Sequence, residues 1–199
     1  MMLGDENQAI REGTASFDEI REVFTRSCGS VDNCELMTSY RSSPEITALF
    51  TSLLDNEERV RVESVQPAGI EPVIIECAGD LDYEVQLKTA VEEAFESKCL
   101  AAIIAPDARR LAKLEQLLED LPIVTGAGKE TMPEHGVLLL DIKLAKGLEF
   151  DQVIVPDAGN RSYPDETLAR HRLYTAISRA TKKVTLVANG KLTKLLPGK

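Results

Sequence analysis

The segment LAAIIAPDARRLAKLEQLLED, residues 100–120, decides how the chain folds. Its first six residues, 100–105, are all apolar and predict a buried strand. Asp107 then begins a helix that is predicted to run to Glu119. A buried strand leading directly into a helix is the repeating unit of α/β proteins.

The same alternation continues on both sides of this segment. Further strands are predicted over residues 73–77, 123–125, 137–140, 153–155 and 184–188, and further helices over residues 83–97 and 166–180. Helices between successive strands imply crossover connections, which join parallel strands. We therefore predict an α/β fold with a mainly parallel sheet flanked by helices.

The N-terminal quarter carries helix signals of its own. Ser16 and Glu19 form a capping-box pattern, which predicts a helix to about Phe24. Residues 35–40 are apolar enough for a strand. A Ser-Pro pair then begins a helix over residues 43–54, whose apolar residues recur at helical spacing.

The length of 199 residues allows one domain, or one domain with a fragment of another. Gly4-Asp5 lies where a domain would just be leaving a strand, and a compact domain rarely begins there. We therefore expect residues 1–30 to be the tail of one domain and residues 31–199 to form the next.

Composition excludes several classes of protein. No apolar run approaches the roughly 20 residues of a membrane span, so we expect no membrane association and a cytoplasmic protein. Four cysteines without CxxC spacing and only two histidines argue against a zinc site and favour reduced thiols. A net charge of −10 argues against extensive phosphate contacts, although basic residues concentrate between positions 161 and 183.

Four short strings carry the functional information. They are Gly4-Asp5-Glu6-Asn7-Gln8, Tyr40-Arg41-Ser42, Ala145-Lys146-Gly147-Leu148-Glu149-Phe150-Asp151 and Leu173-Tyr174-Thr175-Ala176-Ile177-Ser178-Arg179-Ala180. In this order and spacing they resemble motifs III, IV, V and VI of UvrD/Rep-type superfamily 1 helicases. The resemblance implies that residues 31–199 form the second RecA-like lobe of an ATP-driven motor and that residues 1–30 are a remnant of the first lobe.

The resemblance also implies roles for individual residues. Gln8, Arg41 and Arg179 would act on the γ-phosphate of ATP, the two arginines by stabilising the charge of phosphoryl transfer. The nucleotide-binding residues would be Tyr40 on adenine, Glu149 on the ribose hydroxyls and Gly147, whose backbone can approach a ligand closely.

Each string also has a purely structural interpretation. The first is a polar turn after a strand. The second is a strand-ending tyrosine with a surface arginine. The third is an irregular loop between strands, and the fourth is a core helix whose arginine caps its own C-terminus.

The chain departs from the family pattern at the positions that would meet DNA. Arg11-Glu12-Gly13 stands where relatives carry aromatic residues that stack on a base. Asp141 and Lys143 replace a threonine and a histidine, and a carboxylate at position 141 would repel phosphate. Because Arg41 and Asp141 are only 100 positions apart, the chain resembles the compact branch of helicase IV-like and RNA-polymerase-associated helicase-like proteins.

No P-loop is present. Gly128-Lys129-Glu130 imitates its end, but Ile123 stands where the first glycine belongs and Glu130 where a serine or threonine is required. No apolar strand ends in paired Asp-Glu ahead of the first string either. We therefore expect ATP and Mg²⁺ as cofactors of the full-length protein only, no metal ligand in this fragment, and no hydrolysis by the fragment alone.

Two functions follow from this pattern. The first is the C-terminal part of an ATP-dependent DNA helicase or translocase, whose partners would be its own N-terminal motor lobe and DNA. The second is an ATPase-driven conformational switch that acts on a protein partner such as RNA polymerase without unwinding DNA. An α/β domain with chance matches is the third, uninformative interpretation.

Overall fold

The computed structural model describes residues 4–32, 38–54, 63–125 and 132–196. The helices are α1 (Phe17–Cys28), α2 (Pro44–Thr51), α3 (Asp80–Glu96), α4 (Ala108–Leu117), α5 (Ile142–Ala145) and α6 (Thr167–Ile177), with a 3-10 turn at Glu6–Gln8. The strands are β1 (Thr38–Ser39), β2 (Glu63–Ser64), β3 (Val73–Cys77), β4 (Leu100–Ala105), β5 (Val124–Thr125), β6 (Gly136–Asp141), β7 (Phe150–Val155) and β8 (Ala180–Asn189).

Every pairing between these strands is parallel. Strands β3 to β8 form one sheet in the order β3-β8-β7-β4-β6-β5, and β1 pairs with β2 separately. The α/β fold with a mainly parallel sheet is therefore confirmed. In a parallel sheet the amino ends of all strands lie at one edge, so segments that precede different strands can meet there.

The central strands are covered on both faces. In β4, Ala102 and Ile104 face the core beneath α2 and α6, whereas Ala101 and Ile103 face the core beneath α3 and α4. This alternation follows from the two-residue period of a strand, and it explains why both sets of positions are apolar.

Local signals set the helix starts. Ser16 and Glu19 form the predicted capping box, with Ser16 N–H donating to Glu19 at 2.8 Å and Glu19 N–H donating to Ser16 at 3.2 Å. Asp107 caps α4 by accepting from the N–H of Arg110 at 2.8 Å. Helix α1 runs to Cys28, beyond the predicted Phe24.

The largest difference from the sequence prediction lies where α6 ends. The predicted helix over 166–180 stops at Ile177, and β8 begins at Ala180 instead of residue 184. A long-range contact causes this early end, because the Arg179 carbonyl accepts from the N–H of Phe150 at 2.9 Å. The spacing of apolar residues within the helix gives no information about this distant partner, the N–H of Phe150.

Some predictions fall outside the described residues. The P-loop imitation over 126–131 lies outside them, as do Cys34 and the first half of the strand predicted over 35–40, whose described half contains β1. The three described cysteines are free thiols. Among the described helices, none has the length and apolar character that crossing a membrane requires.

A partly buried ion pair fastens the turn after β7 to the helical layer. Arg110 on α4 makes two hydrogen bonds to Asp157, one of them at 2.7 Å, and its guanidinium lies 5.8 Å from the ring centre of Tyr83 on α3. Asp157 has a φ of +54°, a left-handed conformation that aspartate and asparagine tolerate better than most residues. The pair therefore joins α3, α4 and the loop that leads towards α6.

We expect Asp157→Asn to destabilise the fold by about 1–3 kcal/mol, because it leaves a partly buried guanidinium without its carboxylate while keeping a residue suited to positive φ. Urea denaturation measures this change. The control is Glu22→Gln, the same chemical change in the exposed pair of Glu22 with Arg26, which should shift stability by less than about 0.5 kcal/mol. Equal effects of the two variants would contradict the anchoring role of Asp157.

Candidate nucleotide-facing site

Three of the four strings meet at the amino end of β8. Successive backbone carbonyls there each accept from a different residue. The bonds are Phe150 N–H to Arg179 O at 2.9 Å, Ser42 hydroxyl to Ala180 O at 2.7 Å, and Ser43 N–H to Thr181 O at 3.2 Å. The sheet edge thus brings together segments that are far apart in the sequence.

The first string joins them by packing on α6. His171 Nδ1 lies 3.3 Å from the carbonyl of Ala9, and Arg172 Nε donates to the carbonyl of Ile10 at 3.4 Å. Ile10 itself is buried in the core beneath α6. Helix α1, in contrast, buries none of its residues, so residues 4–10 are attached to the sheet domain while residues 17–28 project from it.

Arg179 is buried among neutral acceptors. It is 2% exposed, and it donates to the carbonyls of Thr175 at 3.2 Å and Leu148 at 3.4 Å and to the hydroxyl of Ser178 at 3.2 Å. No carboxylate of the described residues forms an ion pair with it. The bond to Thr175 is the helix-capping contact of the structural interpretation, but it occupies only one of the five guanidinium N–H groups.

Burial is the main cause that lowers the pKa of Arg179, and the nearby positive charge of Arg41 adds to it. Glu149, Asp5 and Tyr174 act in the opposite direction. The guanidinium stays charged, because its ordinary pKa lies far above neutrality. A buried cation beside a second cation, with neutral acceptors around it, is an environment that an anion would stabilise.

Arg41 and Glu149 form an ion pair beside Arg179. Arg41 Nε lies 2.5 Å from Glu149 Oε1, and the two side chains are 38% and 50% exposed. Their neighbours in the chain place them there, since Ser42 bonds to the carbonyl that follows Arg179 and Leu148 accepts from Arg179 itself. Two of the predicted phosphate-facing residues and the predicted ribose ligand therefore lie together.

Gln8 lies at the rim of this group and is already engaged. Its side-chain amide donates to the carboxylate of Asp5 at 2.9 Å, and its backbone carbonyl accepts from Lys146 Nζ at 2.9 Å. Burial, followed by the facing carboxylate of Asp5, raises the pKa of the Tyr174 hydroxyl. Asp5 thus connects the first string to α6 as well as to Gln8.

Tyr40 and Gly147 are accessible and make few contacts. Tyr40 is 73% exposed, and its carbonyl accepts from Gln66. Gly147 has a φ of +88°, and a Cβ built there would meet no atom within 4 Å. Glycine is thus required by the left-handed turn and leaves open space beside the backbone.

Sequence reasoning missed Asp5, Tyr174 and Lys146 as members of the site. Tyr174 fits the apolar spacing of α6, and its ring does pack edge-on against Phe50 with 5.2 Å between centroids. Only its hydroxyl reaches Asp5. A hydroxyl at an otherwise apolar helical position was the signal available in the sequence.

A basic cleft lies beside this group. It has a volume of about 290 Å³ and is lined by Ile10, Arg11, Thr14, Lys143 and Lys146. The carboxylate of Asp141 accepts from the N–H groups of Lys143 and Leu144, both at 2.9 Å, and so caps α5. Asp141 therefore has a structural role at the start of α5, and its expected repulsion of phosphate stays a prediction.

The described residues offer no group of three or more histidine, cysteine, aspartate or glutamate side chains that could hold a metal ion.

The known proteins that are similar to this chain include helicase domains. Residues 136–187 match the family model of the UvrD-like helicase C-terminal domain. The C-terminal domain of a possible DNA helicase from Lactobacillus plantarum WCFS1 is similar to this chain, with 28% identity, a TM-score of 0.66, and coverage of 79% of this chain and 91% of that one. The C-terminal domain of the DEAD-box protein Dbp5 is more distant, with 15% identity, a TM-score of 0.40, and coverage of 61% and 78%. No curated protein matches the sequence.

Asp151, which ends the third string, should make stability depend on pH. Its hydrogen bond with Lys182 is the main cause that lowers its pKa, burial opposes this, and the N–H of Leu100 adds to the lowering. The stabilisation is therefore complete above the unfolded pKa of about 3.9 and is lost as pH falls through the lower folded value. We expect urea denaturation to show that Asp151→Asn lowers stability at pH 6 and that the difference shrinks below pH 4. A difference that is constant from pH 6 to pH 2 would contradict this assignment.

Proposed function

We infer, from the match of residues 136–187 to the family model of the UvrD-like helicase C-terminal domain and from the similar structure of a possible DNA helicase's C-terminal domain, that this chain is the second motor lobe of an ATP-dependent DNA helicase or translocase. In this proposal the edge formed by Arg41, Glu149 and Arg179 faces a nucleotide held by a P-loop on another lobe. Residues 4–10 would then belong to the interface between the two lobes.

The observation that supports this proposal most strongly is the state of Arg179. A guanidinium that is 2% exposed, bonded to neutral acceptors and adjacent to Arg41 lacks the carboxylate that buried arginines usually have. A phosphate would supply that missing charge. The Arg41–Glu149 pair, in contrast, is partly exposed and can reach outward.

Each residue would then have one task. Arg41 and Arg179 would stabilise the charge that spreads over the γ-phosphate oxygens during hydrolysis. Glu149 would accept from the ribose hydroxyls, and the exposed ring of Tyr40 would stack on adenine. Gln8, tied to Asp5 and Lys146, would transmit the presence of the γ-phosphate to α5 and α6.

The basic cleft favours nucleic acid as the track. Arg11, Lys143 and Lys146 line it without a carboxylate, although the chain as a whole has a net charge of −10. Cations in these positions can bind phosphates, but they cannot replace the base stacking of the aromatic residues found in relatives. We therefore propose that the basic cleft binds the phosphate backbone of DNA and does not stack on its bases.

A conformational switch on a protein partner such as RNA polymerase is the second candidate. The acidic net charge and the replacement of the stacking residues by Arg11-Glu12-Gly13 favour it. The two candidates predict different results for DNA binding, which the second experiment below measures.

The first experiment is a kinetic test of Arg179. In a protein that joins this chain to a P-loop lobe, Arg179→Ala should lower the kcat of ATP hydrolysis by about 10³–10⁵, since arginine fingers contribute that much. The control is Arg26→Ala, which removes an exposed arginine of α1 and should leave kcat within about twofold. The proposal fails if Arg179→Ala retains kcat within threefold of the parent.

The second experiment measures single-stranded DNA binding by fluorescence anisotropy across a salt series. Lys143→Gln should weaken binding and reduce the slope of log K against log salt by about 0.7, the value for one lost phosphate contact on a single strand. The control is Lys113→Gln, an exposed lysine on α4, across the sheet from the cleft. Identical slopes for the parent and both variants would favour the protein-partner switch.

A further inference from the structure

The Arg41–Glu149 ion pair lies near Arg179. Ser42 is bonded to the carbonyl of Ala180 on one side of Arg179, and Arg179 donates to the carbonyl of Leu148 on the other. Arg41 and Glu149, the chain neighbours of Ser42 and Leu148, then meet at 2.5 Å. Among the described residues, Glu149 is the only carboxylate that forms an ion pair with Arg41. Glu149 also favours the charged form of Arg179, since it raises the pKa of that guanidinium.

We propose that Glu149 is a specificity-determining residue, which occupies Arg41 with its carboxylate and releases it only to a ligand whose terminal phosphate is a stronger anion. This proposal rests on the proposed function, because it assumes that a phosphate binds at Arg41 and Arg179. It assigns to Glu149 a task before nucleotide binding, in addition to a contact with ribose afterwards.

The exchange is physically reasonable because the competing anions differ in charge. A carboxylate carries one negative charge, whereas a terminal phosphate carries between one and a half and two at neutral pH and presents three acceptor oxygens. The pair is also partly exposed, so its own stability is modest and a stronger anion can displace it. Weak monovalent anions should leave it intact.

The release would also uncover Arg179. In the structure, where the pair is closed, Arg179 is 2% exposed. Movement of the Arg41 side chain towards a phosphate would open the space beside Arg179, and it would free Glu149 for the hydroxyl groups of the same nucleotide. Both arginines would then become available in one step.

The test is the binding of sodium tripolyphosphate to this chain, followed by isothermal titration calorimetry and by the side-chain Nε–H signal of Arg41 in ¹⁵N NMR spectra. Glu149→Gln should tighten binding by about twofold to fivefold, because an exposed ion pair that no longer competes is worth up to about 1 kcal/mol. Glu149→Asp keeps the charge but shortens the side chain, and it should tighten binding by at least twofold. The matched control is Glu22→Gln, which removes one carboxylate from the exposed pair on α1 and should leave the affinity unchanged.

The outcomes separate this proposal from the proposed function. If Glu149→Asp binds like the parent, or Glu149→Gln binds no better, while Arg41→Gln and Arg179→Gln lose binding, the anion site stands and the competition by Glu149 is refuted. If neither arginine variant changes binding, the anion site at Arg41 and Arg179 of this chain is refuted, and the exchange proposed for Glu149 is refuted with it, while the proposed function is decided separately by the kcat of Arg179→Ala. Tighter binding by both Glu149 variants, with an Arg41 signal that moves on addition of tripolyphosphate in the parent, supports the exchange.

Discussion

Three backbone carbonyls at the start of β8 determine how the rest of the site is arranged. The carbonyls of residues 179–181 accept from Phe150, Ser42 and Ser43 in turn, so three distant segments are held within a few ångströms of one another. Two of the three donors are backbone N–H groups, which every residue except proline provides. The relative position of these segments therefore depends on the parallel register of β7 and β8 more than on side-chain identity. The side chains that project from the segments can differ in chemistry while the backbone arrangement is kept.

The distribution of charge at this edge is unusual for a protein interior. A buried guanidinium is normally compensated by a carboxylate, because the cost of removing its water is large. Here the nearest carboxylates are engaged elsewhere, Glu149 with Arg41 and Asp5 with Gln8 and the N–H of Asn7. Among the described residues, Arg179 is therefore a buried cation with no direct ion pair to a carboxylate. Arg110, at the opposite end of the sheet, is paired with the carboxylate of Asp157. The fold can therefore pair an arginine where stability alone requires it, which favours a functional explanation for Arg179.

The sequence predicts the layers of the fold well and their junctions poorly. Residues 100–105 could be recognised as a strand because both faces of β4 are buried, and the caps at Ser16 and Asp107 work through bonds within four residues. The end of α6 could not, since its helical spacing continues to residue 180, whereas the backbone of residues 179–181 bonds to Phe150, Ser42 and Ser43. The same distinction applies to the site. Short strings identify Arg41, Glu149 and Arg179 as candidates, but the pairing of Arg41 with Glu149 and the facing of Tyr174 towards Asp5 are long-range relations that no local pattern contains.

The cap on α5 has a consequence for how such edges diversify. Aspartate and threonine are both good N-cap residues, because each places an oxygen within reach of the first free N–H groups of a helix. Asp141 does this for Lys143 and Leu144, so the position can alternate between a charged and a neutral oxygen while the helix start is preserved. A change between aspartate and threonine at this position would therefore change the charge beside the basic cleft by one unit while the start of α5 is preserved.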